Sequence, residues 1–160
     1  MHEEVAQCWL VYAKLCRRAG HHDAASLVVL EAQHAGAPGA PIERAKLLWQ
    51  QGEAHQAICE MEAAVGPESP HKRLTAKALL HLAIWYHQTG HKEKTAVFET
   101  FKRAINAASS SEKAYFHYAH YLDEVMEHAK KREADLKAGT SVPVPRPKAR
   151  GGTAVEETLS

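Results

Sequence analysis

The chain has 160 residues, of which 45% are hydrophobic and 24% are charged, so it can bury the core of one globular domain. Its formal net charge is +1. The charge is uneven, because residues 1–129 hold 13 Lys+Arg and 15 Asp+Glu. This part therefore offers no basic field of the kind that contacts a phosphate backbone, and we expect no direct binding to nucleic acid.

The cysteines and the lack of long apolar runs indicate the kind of cellular compartment in which we expect the protein. Cys8, Cys16 and Cys59 are an odd number with no close pair, which argues against a disulfide framework and favours a reducing environment. Residues 1–8 carry two glutamates and no apolar core, unlike a signal peptide. No apolar run approaches the roughly 20 residues of a membrane span. We therefore expect a soluble intracellular protein without membrane contact.

Apolar side chains recur at spacings of three and four along most of the chain, which is typical of amphipathic helices. No useful stretch alternates with a period of two, so strands are not expected. Gly20, Gly52 and Gly90 each follow a periodic segment, in the position where glycine commonly ends a helix. The pattern predicts an all-α fold of about seven helices, at residues 5–19, 24–35, 42–51, 54–65, 71–88, 92–107 and 110–137.

The composition changes at Ala138. Residues 143–147 contain three prolines, and two glycines follow before a polar end. Such a stretch cannot bury a core and tends towards a polyproline conformation. We therefore divide the chain into a helical-repeat segment, residues 1–137, and a disordered Pro/Gly-rich tail, residues 138–160.

The segments around the glycines repeat one another. An alanine precedes each glycine at similar spacing, and the residue before that alanine is Tyr12 or Leu82 in two of the units but Arg44 in the unit of Gly52. The glycines are 32 and then 38 residues apart, close to the roughly 34-residue tetratricopeptide repeat. Two-helix units cannot bury their apolar faces alone, so we expect antiparallel hairpins stacked into a TPR-like α-solenoid. The predicted structural repeat positions are Trp9, Tyr12, Ala13, Gly20, Ala25, Ala45, Leu48, Trp49, Gly52, Ala57, Leu82, Ala83, Tyr86, Gly90, Tyr115, Tyr118, Ala119 and Leu122.

We expect the alanines of this repeat to lie where neighbouring helices cross closely. A tryptophan in place of Ala45 or Ala119 would overpack such a crossing at a cost of roughly 1–3 kcal/mol or more, so both substitutions are predicted to damage folding. The same helical spacing places Trp9, Trp49 and Trp85 on apolar faces. We expect these tryptophans, and the three cysteines, to pack in the core.

Twelve histidines raise the question of a metal site. His117, His120, Glu124 and His128 follow one another at spacings of three, four and four near one face of the last helix, and zinc sites can be built in this way. The favoured interpretation is that these side chains face away from the apolar seam and are solvated. We therefore expect no metal and no cofactor.

The motifs of phosphate binding and phosphoryl transfer are missing. The sequence contains neither G-x-x-x-x-G-K nor G-x-G-x-x-G, and it has no His-Arg-Asp catalytic loop and no Asp-Phe-Gly. No arrangement of serine, histidine and aspartate stands out. We therefore expect no catalytic residue and no enzymatic activity in this chain.

Three segments carry a resemblance to a known family. Residues 43–49 read Glu-Arg-Ala-Lys-Leu-Leu-Trp and lead to Gly52, and residues 13–22 and 112–124 match the same region in the same order. Together they resemble the FAT domain of the ATR-type checkpoint kinases, which belong to the phosphatidylinositol-kinase-related Ser/Thr protein kinases. The resemblance extends over residues 9–132.

The resemblance implies a helical-repeat scaffold that wraps the kinase domain of a longer polypeptide and helps to set its activity. Its partners would be proteins, above all the rest of the kinase polypeptide. The resemblance also implies a nuclear role in signalling DNA damage. None of the family's ATP- or Mg-binding motifs lies in these 160 residues, so no catalytic residue is carried over. The sequence departs from the family pattern after Arg132.

A stand-alone tetratricopeptide adaptor is the alternative. Such a protein would hold an extended or helical peptide in its concave groove. The groove positions that could clamp a partner's C-terminal carboxylate hold Lys14, Lys46 and Ile84, which is an incomplete basic set. Capture of a defined peptide by a stable monomer would favour the adaptor over the FAT segment.

Overall fold

The computed structural model describes residues 2–66 and 71–139, and all regular structure in these residues is α-helical. The predicted all-α repeat fold is therefore confirmed. The helix ends agree with the predicted ends to within a few residues. None of the described helices is long and apolar enough to span a membrane. The helices are α1 (His2–Arg18), α2 (His22–His34), α3 (Ala40–Gln50), α4 (Ala54–Ala64), α5 (Lys72–Thr89), α6 (Lys94–Ala107) and α7 (Glu112–Lys137).

The helices pair as consecutive hairpins. α1 packs on α2, α3 packs on α4, and α5 packs on α6. Neighbouring hairpins meet through contacts of α2 with α3 and of α4 with α5, and α1 also contacts α3. Each hairpin therefore buries apolar surface against the next one, which is how the repeats of a solenoid gain stability.

Glycine turns close the first two hairpins. Gly20 and Gly52 have φ angles of 79° and 87°, in the left-handed region that favours glycine. At each turn the glycine N–H donates to the carbonyl three residues earlier, and the next N–H donates to the carbonyl five residues earlier. This Schellman arrangement satisfies the last carbonyls of α1 and α3, so the chain can reverse without leaving buried polar groups unpaired.

Small side chains fill the interfaces between helices. Ala13 of α1 packs against two valines of α2, Val28 and Val29. Cys16 packs with Leu47 of α3, which brings the first hairpin onto the second. These five side chains are buried. The helix backbones therefore approach closely, and a larger side chain at such a position has no free space to enter.

The chain divides into two compact units, and the division falls inside α7. One unit ends at Tyr121 and holds α1 to α6 with the first turns of α7. The other unit begins at Leu122. The predicted tail, residues 138–160, lies outside the described residues except for 138 and 139. The boundary at 137 therefore stays a prediction.

The first turns of α7 pack on α6 through a face that only partly agrees with the repeat, because Tyr118 contacts Phe98 and Phe101 of α6 as the repeat predicts but other positions differ. Ala114 and Tyr121 are buried, whereas Tyr115 and Ala119 are exposed. Tyr121 stacks on Phe101 of α6 with 5.3 Å between the ring centroids. The predicted close crossing at Ala119 is therefore wrong for the described residues. Apolar spacing alone fits several orientations of a helix, and the aromatic contacts with α6 decide which face turns inward.

Tryptophan substitutions at Ala45 and Ala119 are expected to have different effects. Ala45 has no exposed surface, so Ala45→Trp overpacks α3 and lowers the free energy of unfolding by about 3 kcal/mol. Ala119 is exposed, so Ala119→Trp changes that energy by less than about 0.5 kcal/mol. Urea unfolding followed by circular dichroism measures both. Equal losses in the two variants would contradict the orientation of α7.

Candidate functional site

A buried ion pair joins the first helix to the third. Arg17 Nε of α1 donates to Glu43 Oε1 of α3, and the two side chains expose only 12% and 2% of their surface. Taking two charges out of water costs several kcal/mol per ion, and their attraction offsets this cost only when the geometry is good. The pair therefore restricts how α1 can lie on α3.

Lys46 lies one turn after Glu43 on α3 and is half-buried. Burial lowers the pKa of Lys46 to about 8, against the opposing attraction of Glu43. Like-charge repulsion from Arg17, Lys77 and Lys14 contributes to this lowering of the pKa. An ammonium group in such surroundings destabilises the fold, and a nearby anion would relieve that effect.

His81 of α5 faces the same cluster of cations. Burial, as the largest cause, and the positive charges of Lys46, Lys113 and Arg17 together lower its pKa to about 3. The His81 ring lies 5.7 Å from the ring of Trp85, measured between centroids. At neutral pH this histidine therefore contributes polar atoms to its surroundings but no charge.

The tryptophans of the middle repeats hold α3 against α5. Trp49 and Trp85 stack with 4.6 Å between ring centroids and 5° between ring planes. Trp85 is buried and Trp49 is half-buried. Trp9, in contrast, is 36% exposed on α1, so its predicted place in the core is wrong. The reason is that α1 carries apolar residues on several sides, and the described helices cover only one of them.

A cavity of about 370 Å³ opens beside Lys46 and His81. Ala76, Leu80 and Ala114 supply an apolar part of its wall, and no Asp or Glu is among its described lining residues. Its cations come from α1, α3, α5 and α7. We refer to this space as the basic cavity, and its cations are Arg18, Lys46, Arg73, Lys77 and Lys113.

The basic cavity is the main feature that sequence reasoning missed. The negative net charge of residues 1–129 conceals a local concentration of cations that forms only when separate helices come together. The expectation that this part lacks a basic field of the kind that contacts a phosphate backbone stays a prediction, but the net charge gave no indication of this local cluster. One local signal exists: Arg73, Lys77 and His81 recur every four residues along α5, which places them on one side of the helix.

The predicted groove residues have different surroundings in the structure. Lys46 lines the basic cavity. Lys14 lines a second cavity of about 600 Å³, bordered by the start of α1, the turn around Gly39 and the start of α5, and Lys77 lines both cavities. Ile84 is half-buried and lines neither of these two spaces. In the basic cavity, Lys46 is therefore joined by cations that the alignment of the repeats does not identify.

The histidines of α7 were expected to be solvated, and this is wrong for His117. His117 is half-buried, and burial lowers its pKa, with further contributions from Lys113 and His120. His117 lies on the same side of α7 as the buried residues Ala114 and Tyr121. Within residues 2–66 and 71–139, no group of three or more His, Cys, Asp or Glu could hold a metal ion.

The three cysteines are free thiols, and their burial differs. Cys16 is buried, as expected, whereas Cys8 and Cys59 are exposed. The predicted core packing of the latter two is therefore wrong. Cys8 lies on a side of α1 that the described helices do not cover, and the Cys59 Sγ lies 3.8 Å from His55 Nδ1 on the surface of α4.

One side of α1 is both apolar and uncovered. Val5, Trp9 and Tyr12 follow one another at spacings of four and three, and they are 53%, 36% and 51% exposed. We refer to these three residues as the outer face of α1. Single exposed apolar side chains are common, but a helical stripe of them marks a contact surface.

The remaining repeat positions fall into groups by burial. The alanines before α7 have no exposed surface: Ala13, Ala25, Ala45, Ala57 and Ala83. Two further positions are buried, Leu82 and Tyr86. The half-buried positions are Leu48, Trp49, Tyr118 and Leu122.

The stacked hairpins define the class of protein, an all-α helical-repeat protein of the TPR-like kind. A family model described as the FAT domain matches residues 1–156. The chain belongs to the FAT domain family. The match continues past Arg132, so the limit that the sequence reasoning set for the resemblance is wrong.

Proteins that are similar to this chain in sequence carry the name "Serine/threonine-protein kinase ATR". The chain is 34% identical over 170 residues to the protein of Arabidopsis thaliana, an alignment that covers 86% of this chain and 6% of that protein. It is 32% identical over 190 residues to the protein of Oryza sativa subsp. indica, covering 98% and 7%. For Drosophila melanogaster the identity is 31% over 137 residues, covering 78% and 5%. The resemblance to ATR-type kinases is confirmed, and the chain spans less than a tenth of these relatives' length.

Removal of one partner of the buried pair is expected to be costly. Arg17→Met leaves Glu43 buried without its cation and lowers the free energy of unfolding by about 3 kcal/mol. Adding Glu43→Leu restores most of this energy, because an apolar pair needs no desolvation of charge. Arg44→Met, which breaks the more exposed pair with Glu60, costs less than about 1 kcal/mol. Urea unfolding at neutral pH measures all four chains, and equal costs for the two arginines would contradict this ranking.

Lys46→Met is expected to stabilise the protein. Between pH 8 and 10.5 the unfolded chain binds more protons than the folded chain, so wild-type stability rises with pH in this window, and below it the full penalty applies. At pH 7 the substitution raises the free energy of unfolding by about 1 kcal/mol, after allowance for partial exposure.

The measurement is urea unfolding at pH 7 and pH 9.5, below the range in which tyrosines ionise extensively. The wild-type gain between the two pH values should disappear in Lys46→Met. Lys77→Met removes an exposed charge from the same cavity and should change stability by less than about 0.5 kcal/mol. A destabilised Lys46→Met variant would contradict the assigned cost of burial.

Proposed function

We propose that the chain is a scaffold segment of an ATR-type Ser/Thr kinase, that it acts through protein–protein contacts, and that it supplies no catalytic group. The family match over residues 1–156 is the observation that carries this proposal. On the same basis we place its role in the nucleus, in the signalling of DNA damage. The rest of the kinase polypeptide is the proposed partner.

The outer face of α1 supports a contact role. Its apolar side chains are held on a helix whose adjacent side, which carries Ala13, is packed in the first hairpin, so they cannot turn inward without disrupting that packing. Repeats of a solenoid normally cover such a stripe with the next helical unit. We therefore propose that an adjoining helical segment of the kinase polypeptide packs on Val5, Trp9 and Tyr12.

A chimeric kinase tests this proposal. In the ATR protein of Arabidopsis thaliana, the matching segment is replaced by this chain, and Ser/Thr kinase activity on a peptide substrate is measured. The chimera should be active. Trp9→Glu with Tyr12→Glu should lower its activity by about tenfold or more, because buried unpaired carboxylates are strongly unfavourable in a packed interface.

Leu27→Glu with Leu30→Glu is the matched control. These two leucines are also exposed, but they lie on α2, so this chimera should keep its activity. All variants of the isolated chain should melt as the wild type does, because the altered side chains are largely solvent-exposed. An inactive wild-type chimera, or full activity of the Trp9/Tyr12 variant, would contradict the proposed contact.

A further inference from the structure

The basic cavity has an unusual charge distribution for a chain with a net charge of only +1. Five cations line it, and its described lining holds no carboxylate. None of the five forms a salt bridge with another described residue. Glu43, the carboxylate that attracts Lys46, is engaged by Arg17. Among the described residues, the like charges around Lys46 are therefore offset only in part, and an anion in the cavity would relieve their repulsion.

The wall of the cavity is also suited to hold an anion. Ser110 and Ser111 line it where α7 begins, so the end of α7 that carries the positive pole of its macrodipole borders the same space. Arg18 and Arg73 bring guanidinium groups, which can donate two parallel hydrogen bonds to a carboxylate or a phosphate. These donors come from α1, α5 and the start of α7, so the stacked hairpins hold them in place together.

We propose that the basic cavity binds an acidic segment of a partner protein, whose carboxylate or phosphate groups pair with Arg18, Arg73 and Lys77. A volume of about 370 Å³ accommodates a few side chains, more than one isolated anion. Nucleic acid fits less well, because the lining has no Trp, Tyr or Phe on which a base could stack. The inference rests on the proposed role in protein contacts, but it concerns a different surface from the outer face of α1.

Fluorescence anisotropy with labelled peptides tests the inference on the full 160-residue chain. The first peptide carries a run of glutamates, the second has glutamine at each of these positions, and the third carries phosphoserines there. The glutamate or the phosphoserine peptide should bind at least about tenfold more tightly than the glutamine peptide. Binding should weaken as NaCl is raised from about 20 to about 200 mM. Whichever of the two anionic peptides binds more tightly identifies the source of the negative charge.

Charge reversal localises the binding. Arg73→Glu with Lys77→Glu should weaken binding of the anionic peptide by about tenfold or more, because both exposed side chains line the cavity. Lys102→Glu with Arg103→Glu changes the same residue types on α6, away from the cavity lining, and should leave the affinity within about threefold of the wild type. Circular dichroism melts should show that both double variants fold.

Three results would overturn the inference. They are equal binding of the glutamine and anionic peptides, equal losses in the two double variants, and tighter binding of a single-stranded oligonucleotide than of either anionic peptide. The chimeric kinase reports on the outer face of α1 and does not require the cavity to bind a peptide. Failure of the cavity assignment is therefore distinguishable from failure of the scaffold role.

Discussion

The ion pair between Arg17 and Glu43 is the constraint on which the arrangement of the first two hairpins depends. Apolar contacts tolerate small sliding movements, because one aliphatic surface resembles another. A carboxylate with almost no exposed surface tolerates none, because any shift that separates it from its guanidinium leaves a buried charge. The pair thus restricts the placement of α1, which carries Arg18, on α3, which carries Lys46.

Polar links of the same kind recur between later elements. The Tyr86 hydroxyl of α5 donates to Glu62 Oε1 of α4 at 2.5 Å, and the Tyr121 hydroxyl of α7 donates to the Lys94 carbonyl of α6 at 3.2 Å. Each link joins elements that neighbouring apolar contacts already bring together. The apolar surfaces supply most of the stability, and these directional bonds select the register in which the surfaces meet.

Local rules explain why so much of the fold could be predicted from the sequence. Helix periodicity and the conformational freedom of Gly20 and Gly52 depend only on neighbouring residues, so the helices and turns could be predicted from the sequence. The exposure of Trp9 and Ala119 depends on which helices lie beside them, and an apolar period does not contain that information. The basic cavity could not be predicted for the same reason, because Arg18 and Lys113 are far apart in the sequence and come together only in the folded chain.

The outer face of α1 and the basic cavity differ in the kind of contact that they favour. An apolar stripe such as the outer face of α1 gains free energy from permanent burial, and salt affects it little. A cluster of partly hydrated cations keeps much of its solvation when empty and gains most from an anion of matching geometry, so the proposed binding would be reversible and salt-sensitive. A scaffold that carries both can remain fixed within a larger polypeptide through α1 and still exchange an acidic partner at the cavity. The separation of the two surfaces on different residues allows each contact to change without the other.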